Sequence, residues 1–298
     1  MKTILLFGKN GQVGSALQTV LRTHGTVVAH DRTTCDLSDF DQLRSVINSA
    51  KPDIIVNAAA YTAVDRAETE KDLCFRVNSL APGVMAEMAG RLNAVLVHYS
   101  TDYVFNGEKS SAYLEDDRPD PLNVYGRSKL DGDRVILASG ARSIILRVGW
   151  VYSAAGQNFA NTILRLARKQ DRITVVADQF GAPTSAGFIA DTTAKLIDQI
   201  ESDKPQGFGV FHLAAAGRVS WHGYATELVR EAHRLNFGIK AGPDAVVPIR
   251  SDAYAAAAPR PKNGVLDTGK IQRTFSVDIP EWQMGVQQLV QELSKELT

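Results

Sequence analysis

Apolar runs and helical stripes alternate through the first half of the chain. Thr3 to Phe7 (TILLF) is apolar without period, the pattern of a strand covered on both faces. The turn GKNGQVG follows, and apolar residues then recur at Val13, Ala16, Leu17, Val20 and Leu21, a helical spacing that Gly25 stops. Thr26 to Ala29 reads as a second strand that leads to Asp31. Ser38 and Asp41 have the spacing of a capping box, which predicts a helix running to about Ala50, ahead of Pro52. Asp53 to Asn57 (DIIVN), Val95 to Ser100 (VLVHYS) and Ser143 to Val148 (SIILRV) read as strands three, four and five. Helical patterns cover Asp65 to Arg76, Ser79 to Leu92 and Tyr125 to Ala138.

Strands alternating with helices predict a parallel sheet covered on both faces and joined by right-handed crossovers, the doubly wound, Rossmann-like α/β class. Beyond Trp150 the alternation loosens. A helix is predicted at Phe159 to Lys169, a short strand near Thr174 to Ala177, and a loop at QFGAPTS. A helix from Gly187 to Ile200 and a strand at Val210 to Leu213 are placed to return to the first sheet. Further helices are expected at His222 to Leu235 and Gln283 to Leu297, around the stretch AAAAPRPKNG. The expected division is a dinucleotide-binding domain over 1–151, rejoined by 184–217, and a smaller interleaved substrate domain from 152–183 and 218–298. There is no internal repeat, and low complexity is confined to the alanines at 255–258.

Composition narrows the class. At 298 residues, about three quarters of the unfolded surface can be buried, so no staple is needed. Lys+Arg and Asp+Glu both number 33, so there is no net field to attract a polyanion, and no nucleic-acid partner is expected. Cys35 and Cys74 are far apart and have no ligand-spaced partners, which suits the reducing cytosol and no metal. No apolar stretch reaches the ~18 residues of a membrane span, and the apolar run at the start ends at Gly8 and Lys9, too short for an export signal. A cytoplasmic protein with no membrane partner is expected.

Gly8, Gly11 and Gly14 lie between a predicted strand and a predicted helix. There the missing Cβ atoms allow a tight turn and a close approach of a pyrophosphate to the helix N-terminal amides. The spacing is GxxGxxG rather than GxGxxG; its context carries the signal. Asp31 ends the second strand 17 residues after Gly14, near the spacing of a carboxylate that accepts from adenosine ribose hydroxyls. Asp36 and Leu37 are placed to flank the adenine. The alternative is a purely structural turn with Asp31 as a solvated strand end. Arg32, beside Asp31, adds a guanidinium suited to a 2′-phosphate, so NADPH or NADH can serve.

Tyr125 and Lys129 (YGRSK) share one face of a helix. A ketone reduced by hydride needs a proton at its oxygen, and Lys129 is placed to lower the proton affinity of the Tyr125 phenol. Ser100 and Thr101 end the fourth strand, at the edge where such sheets bind ligands, and either hydroxyl is suited to a substrate carbonyl. Asp102 follows and suits a sugar hydroxyl.

With GKNGQVG, NAAAYTAVDRAE, YSTDYVF, NVYGRSK, RVGWVY, NFANTILRLA and DQFGAPT, the chain resembles the dTDP-4-dehydrorhamnose reductases of the extended short-chain dehydrogenase/reductase superfamily. The resemblance runs nearly end to end and fades in the last hundred residues. It implies NAD(P)H-dependent reduction of the C4 ketone of dTDP-6-deoxy-L-lyxo-4-hexulose, the last step of dTDP-L-rhamnose synthesis. It also implies Tyr125 as proton donor, Lys129 on the nicotinamide ribose and Thr101 orienting the reacting oxygen. Gly11, Gln12 and Val13 would cover the pyrophosphate, and Asp31, Asp36 and Leu37 the adenosine. Ala60, Tyr61 and Thr62 would meet the middle of the cofactor, and Asp102 and Trp150 the sugar.

The chain also departs from the family. Some members are dimers joined through a magnesium site built from glutamates; the matching positions here are Ala16, Gly187 and Glu292, and only the last is acidic. No such metal site is expected, and the chain is expected to be a monomer or weak homodimer. Trp150 can be a core aromatic or a sugar platform. Arg260 and Lys262 (PRPKNG) can clamp the substrate diphosphate or be loop charges. The six histidines (His24, His30, His98, His212, His222 and His233) read as structural or surface residues, and Glu227 with Glu231 as a solvated helix face. Two other functions are weighed. A nucleotide-sugar epimerase or dehydratase would retain NAD; Asp102 suits a dehydratase, though no glutamate follows it. A non-catalytic dinucleotide-binding subunit, like the methionine adenosyltransferase regulatory subunit, would not need Thr101, Tyr125 and Lys129 together.

Overall fold

The structure is a computed structural model and describes residues 2–200 and 207–295. Among these residues six strands form one sheet: β1 (Thr3–Phe7), β2 (Thr26–His30), β3 (Ile54–Asn57), β4 (Val95–Thr101), β5 (Ser143–Val148) and β6 (Gly209–His212). Their order is β6-β5-β4-β3-β1-β2 and every pairing is parallel. The helices used below are α1 (Gln12–Val20), α2 (Phe40–Ala50), α3 (Ala81–Leu92), α4 (Val124–Ala138), α5 (Phe159–Lys169), α6 (Ala186–Ile200), α7 (Trp221–Arg234), α8 (Gly269–Phe275) and α9 (Trp282–Lys295).

Side chains alternate across a strand, so β1 feeds two cores. Ile4 and Leu6 join Leu17 of α1, Ile189 and Leu196 of α6, and Ile271 and Phe275 of α8 on one face. Leu5 and Phe7 join Leu43 and Ile47 of α2 and Met85 and Met88 of α3 on the other. Each such side chain contributes about 1.5–3 kcal/mol on burial, which is why an apolar run without period settles as a central strand. A third core lies outside the sheet, where α5, α7 and α9 pack with Ile173, Val175 and Val246.

Several expectations are corrected. Asp39, not Ser38, caps α2 by accepting from the Gln42 amide, while the Ser38 hydroxyl donates to Asp36. The helical pattern over 65–76 breaks into Val64–Ala67 and Lys71–Phe75, followed by a π turn at Arg76–Leu80 that leads into α3. That wide turn packs against Gly132 of α4, where a Cβ would lie 2.2 Å from the Asn78 carbonyl oxygen. QFGAPTS is not a loop. Phe180–Gly181 pairs with Val219–Ser220, and Thr184–Ser185 with Val151–Tyr152, partners that local sequence does not reveal. Glu227 and Glu231 are not a solvated face, because Glu231 is buried and they pair with Arg230 and Arg234. The predicted helix end at Leu297 lies outside the described residues.

Candidate active site

β1 ends against a turn that only glycine fits. Gly8 has φ +84°, and a Cβ on it would lie 2.6 Å from the Ala59 nitrogen. A Cβ on Gly14 would lie 2.0 Å from the Gly8 carbonyl oxygen, so the start of α1 presses on the turn. Gly11 is the N-cap of α1, and no side chain caps the helix. The first amides of α1 therefore remain available, and with the macrodipole they suit an anion. They open into a cleft of about 1360 Å³ whose wall also carries Thr62, Thr101, Tyr125, Lys129 and Trp150.

Asp31 stands just past β2, on the wall of both this cleft and a side pocket of about 130 Å³. Its Oδ1 accepts from the Thr33 hydroxyl at 2.6 Å and the Thr33 amide at 3.0 Å; Oδ2 accepts from Asn10 at 2.9 Å and lies 3.3 Å from Lys9 Nζ. These donors, the Thr33 hydroxyl foremost, hold the carboxyl well below its usual range. Arg32 is exposed and lies 3.6 Å from Asp36. Asp36, Leu37, Ala60 and Tyr61 line the side pocket together with Cys35, which gives it a partly apolar wall suited to a flat base. The Tyr61 phenol turns away and donates to Glu70 at 2.7 Å.

α4 presents the tyrosine and lysine. Asn123 caps it by accepting from the Gly126 amide at 2.8 Å, and a Cβ at Gly126 would lie 2.2 Å from the Tyr103 carbonyl oxygen. The Tyr125 ring meets the Tyr103 ring edge-on at 5.7 Å. Burial pushes the Tyr125 phenol up, opposed by its side-chain hydrogen bond with Thr101. The expected lowering by Lys129 is not among the influences on it in the free site, and the phenol stays protonated at neutral pH. Lys129 is 1% exposed, and its Nζ donates to the Tyr99 carbonyl at 2.6 Å and lies 3.1 Å from His98 Nε2. Burial pushes Lys129 down to about 8. Of the two candidate hydroxyls, Thr101 faces Tyr125, while Ser100 lies beside Asp133.

Asp102 is 2% exposed: Oδ1 accepts from the Thr101 hydroxyl at 3.0 Å, and Oδ2 is buried without a partner. Gly149 and Gly264 close over it; a Cβ at Gly264 would lie 2.3 Å from Oδ2. Burial pushes this carboxyl up to about 7. Trp150 has φ +50°, lies against Gly181 and stacks on Trp221 with ring centroids 3.4 Å apart, so it is both a core contact and a cleft wall. Arg260 does not line the cleft: its guanidinium donates to Asp65 at 2.9 Å. Lys262 is exposed.

The family model "RmlD substrate binding domain" matches residues 1–295. The chain is 42% identical over 294 residues to the dTDP-4-dehydrorhamnose reductases of Shigella flexneri and of Escherichia coli strain K12, covering 97% of each chain. The chain belongs to the dTDP-4-dehydrorhamnose reductase family. Among solved structures, the family member from Clostridium acetobutylicum superposes with a TM-score of 0.89 at 32% identity, covering 98% of this chain and 99% of that one. The Bacillus anthracis member, solved in complex with NADP, gives 0.88 at 30% identity, with 98% and 99% covered.

Ala16, Gly187 and Glu292 do line one cleft. Among the described residues no group of three or more His, Cys, Asp or Glu side chains gathers as metal ligands. Nor, among them, is any helix long and apolar enough to cross a membrane. Sequence reasoning missed Lys9 at Asp31, Trp221 under Trp150, and His98 behind Lys129. One signal pointed to His98: a titratable residue inside an apolar strand buried on both faces.

Proposed function

We propose that the protein reduces the C4 ketone of dTDP-6-deoxy-L-lyxo-4-hexulose to dTDP-L-rhamnose with NADPH or NADH. The observation that carries this is the convergence of Thr101, Tyr125 and Lys129 on one cleft with the uncapped glycine turn of α1. The turn fits a pyrophosphate, because the positions of Gly8 and Gly14 leave no room for a Cβ and the first helical amides have no side-chain partner. Gly11, Gln12 and Val13 hold that group, Asp31, Asp36 and Leu37 the adenosine, Ala60 and Thr62 the middle of the cofactor, and Lys129 the nicotinamide ribose. When bound, the reduced nicotinamide supplies the hydride.

The Tyr125 hydroxyl gives its proton to the ketone oxygen, and Thr101 orients that oxygen. A phenol kept protonated by burial is loaded as a donor, and the Lys129 ammonium stabilises the phenolate that forms. Asp102 and the Trp150–Trp221 stack hold the sugar. Arg260 acts through Asp65, tying the loop that carries Gly264 to the first half of the chain. Residues 1–151 with 184–200 and 207–217 serve the cofactor, and 152–183 with 218–268 and 282–295 build the substrate wall, while α8 returns to the sheet core. A single acidic side chain at the three glutamate positions favours a monomer or weak homodimer without a bridging metal.

The test is loss of reduced-nicotinamide absorbance when protein, NADPH or NADH and the dTDP-4-keto-L-sugar are mixed. Tyr125→Phe should be slower by about 10²–10⁴-fold with cofactor affinity nearly unchanged, the usual weight of general acid catalysis. Cofactor retained through purification with no net consumption would replace the reductase by an epimerase or dehydratase. Binding without turnover would replace it by a non-catalytic subunit.

A further inference from the structure

Behind Lys129 the structure holds a buried polar chain with a definite polarity. Asn57 closes β3 and His98 sits in β4; they are 1% and 0% exposed. Asn57 Oδ1 accepts from the Ala59 amide at 3.2 Å, which turns Asn57 Nδ2 toward His98 Nδ1 at 3.0 Å. An amide nitrogen only donates, so His98 Nδ1 is the acceptor. Burial, and then Lys129, push His98 well below its usual range, so the ring is neutral. A neutral imidazole with a bare Nδ1 carries its hydrogen on Nε2. That N–H faces Lys129 Nζ at 3.1 Å.

An ammonium at Lys129 would meet this N–H donor to donor, whereas a neutral amine would accept from it. The imidazole therefore disfavours the charged lysine, in the same direction as burial. Opposing both are Asp133, one turn on in α4 and paired with Arg147 of β5 at 3.1 Å, and Cys74 from the short helix Lys71–Phe75. Tyr125 stands on the same helix, and the Tyr99 carbonyl takes one Nζ hydrogen in either state.

We propose that His98, held by Asn57 as the Nε2–H tautomer, is a positioning residue that weakens the hold of Lys129 on its proton. Its use in turnover rests on the reductase function. When Tyr125 has given its proton to the substrate oxygen, a proton from Lys129 Nζ restores the phenol. The resulting amine accepts from His98 Nε2–H and regains its proton from water as product leaves. A lysine with an ordinary grip on its proton would perform this step poorly.

Histidine-labelled protein, read by long-range proton–nitrogen NMR, should show the hydrogen of His98 on Nε2. A wild-type spectrum with it on Nδ1 overturns the proposal without any variant. Lysine-labelled protein should then show the Lys129 titration moved up by about one unit in two variants. His98→Gln offers an amide oxygen to Nζ and adds no charge. Asn57→Asp accepts from Nδ1–H and so turns Nε2 into an acceptor. The alkaline limb of kcat/KM should move up with the titration. An unmoved Lys129 titration in a folded variant overturns the proposal. Absence of ketone reduction with the Nε2–H tautomer in place would instead overturn the reductase function and the step drawn from it.

Discussion

Asp31 and Asp102 each follow a strand at the carboxyl edge of the same sheet, yet their carboxyl groups are shifted in opposite directions. Asp31 is ringed by donors from two short turns, Thr33 and Thr34 of its own and Lys9 and Asn10 of the turn after β1, and is held well below the usual range, chiefly by the Thr33 hydroxyl. Asp102 has a single side-chain donor, Thr101, and burial pushes it up to about 7. The walls that desolvate it are Gly149 and Gly264, from distant parts of the chain. A short loop can satisfy a charge, whereas burying one takes surfaces that the chain must bring together. The cofactor side of the cleft is thus a local structure, and the substrate side is a tertiary one.

If that contrast holds, the largest effect should come from the local side. Gly14→Ala puts a methyl where the Gly8 carbonyl oxygen stands, and backbone cannot yield as a side chain does. An overpacking cost of ~1–3 kcal/mol, borne by the turn itself, should weaken NADPH binding by up to about 100-fold in a fluorescence titration. An alanine variant with ordinary affinity would mean that the turn is more plastic than its contacts imply.

Asp102→Asn sharpens the other side. The folded carboxyl, at about 7, lies above its ordinary value of 3.8, so the folded state binds the extra proton. Wild-type stability is therefore unpenalised below about pH 4, falls as pH rises toward 7, and stays low above it. The asparagine variant keeps an oxygen for Thr101 and has no charge to bury. Its stability relative to wild type should rise between pH 5 and pH 8 by a few kcal/mol, of order, measured by urea unfolding at each pH. An equal difference at both would show that Asp102 does not titrate in this range.

The smallest effect is expected at the rim. Arg32 is exposed and only loosely paired with Asp36, so it is free to meet a 2′-phosphate. Arg32→Ala should raise KM for NADPH about tenfold, the weight of one charge-assisted hydrogen bond, and leave KM for NADH nearly unchanged. Equal changes for both cofactors would take Arg32 out of that contact.

Legibility in the sequence followed the same divide. TILLF, SIILRV and the helical stripe from Val13 became β1, β5 and α1 because each pattern repeats within a few residues. Thr101, Tyr125 and Lys129 do meet in one cleft. Phe180–Gly181 and Thr184–Ser185 look like loop in local sequence because a two-residue strand is defined by its partner, here Val219–Ser220 and Val151–Tyr152. The π turn escaped because its width answers to Gly132, on another helix. Local sequence does not decide the role of Arg260, because its partner Asp65 stands in the other half of the chain.

By itself the sequence determined the doubly wound sheet, the glycine turn and the tyrosine–lysine helix face, since backbone sterics and side-chain periodicity act over a few residues. Only the tertiary structure decided the electrostatic state of the site: a protonated Tyr125, a Lys129 pushed down to about 8 with His98 against it, and an Asp102 pushed up to about 7. Proton affinity depends on desolvation and on neighbouring charges and hydrogen bonds, and at Lys129 and Asp102 these come from strands, helices and loops that only folding brings together.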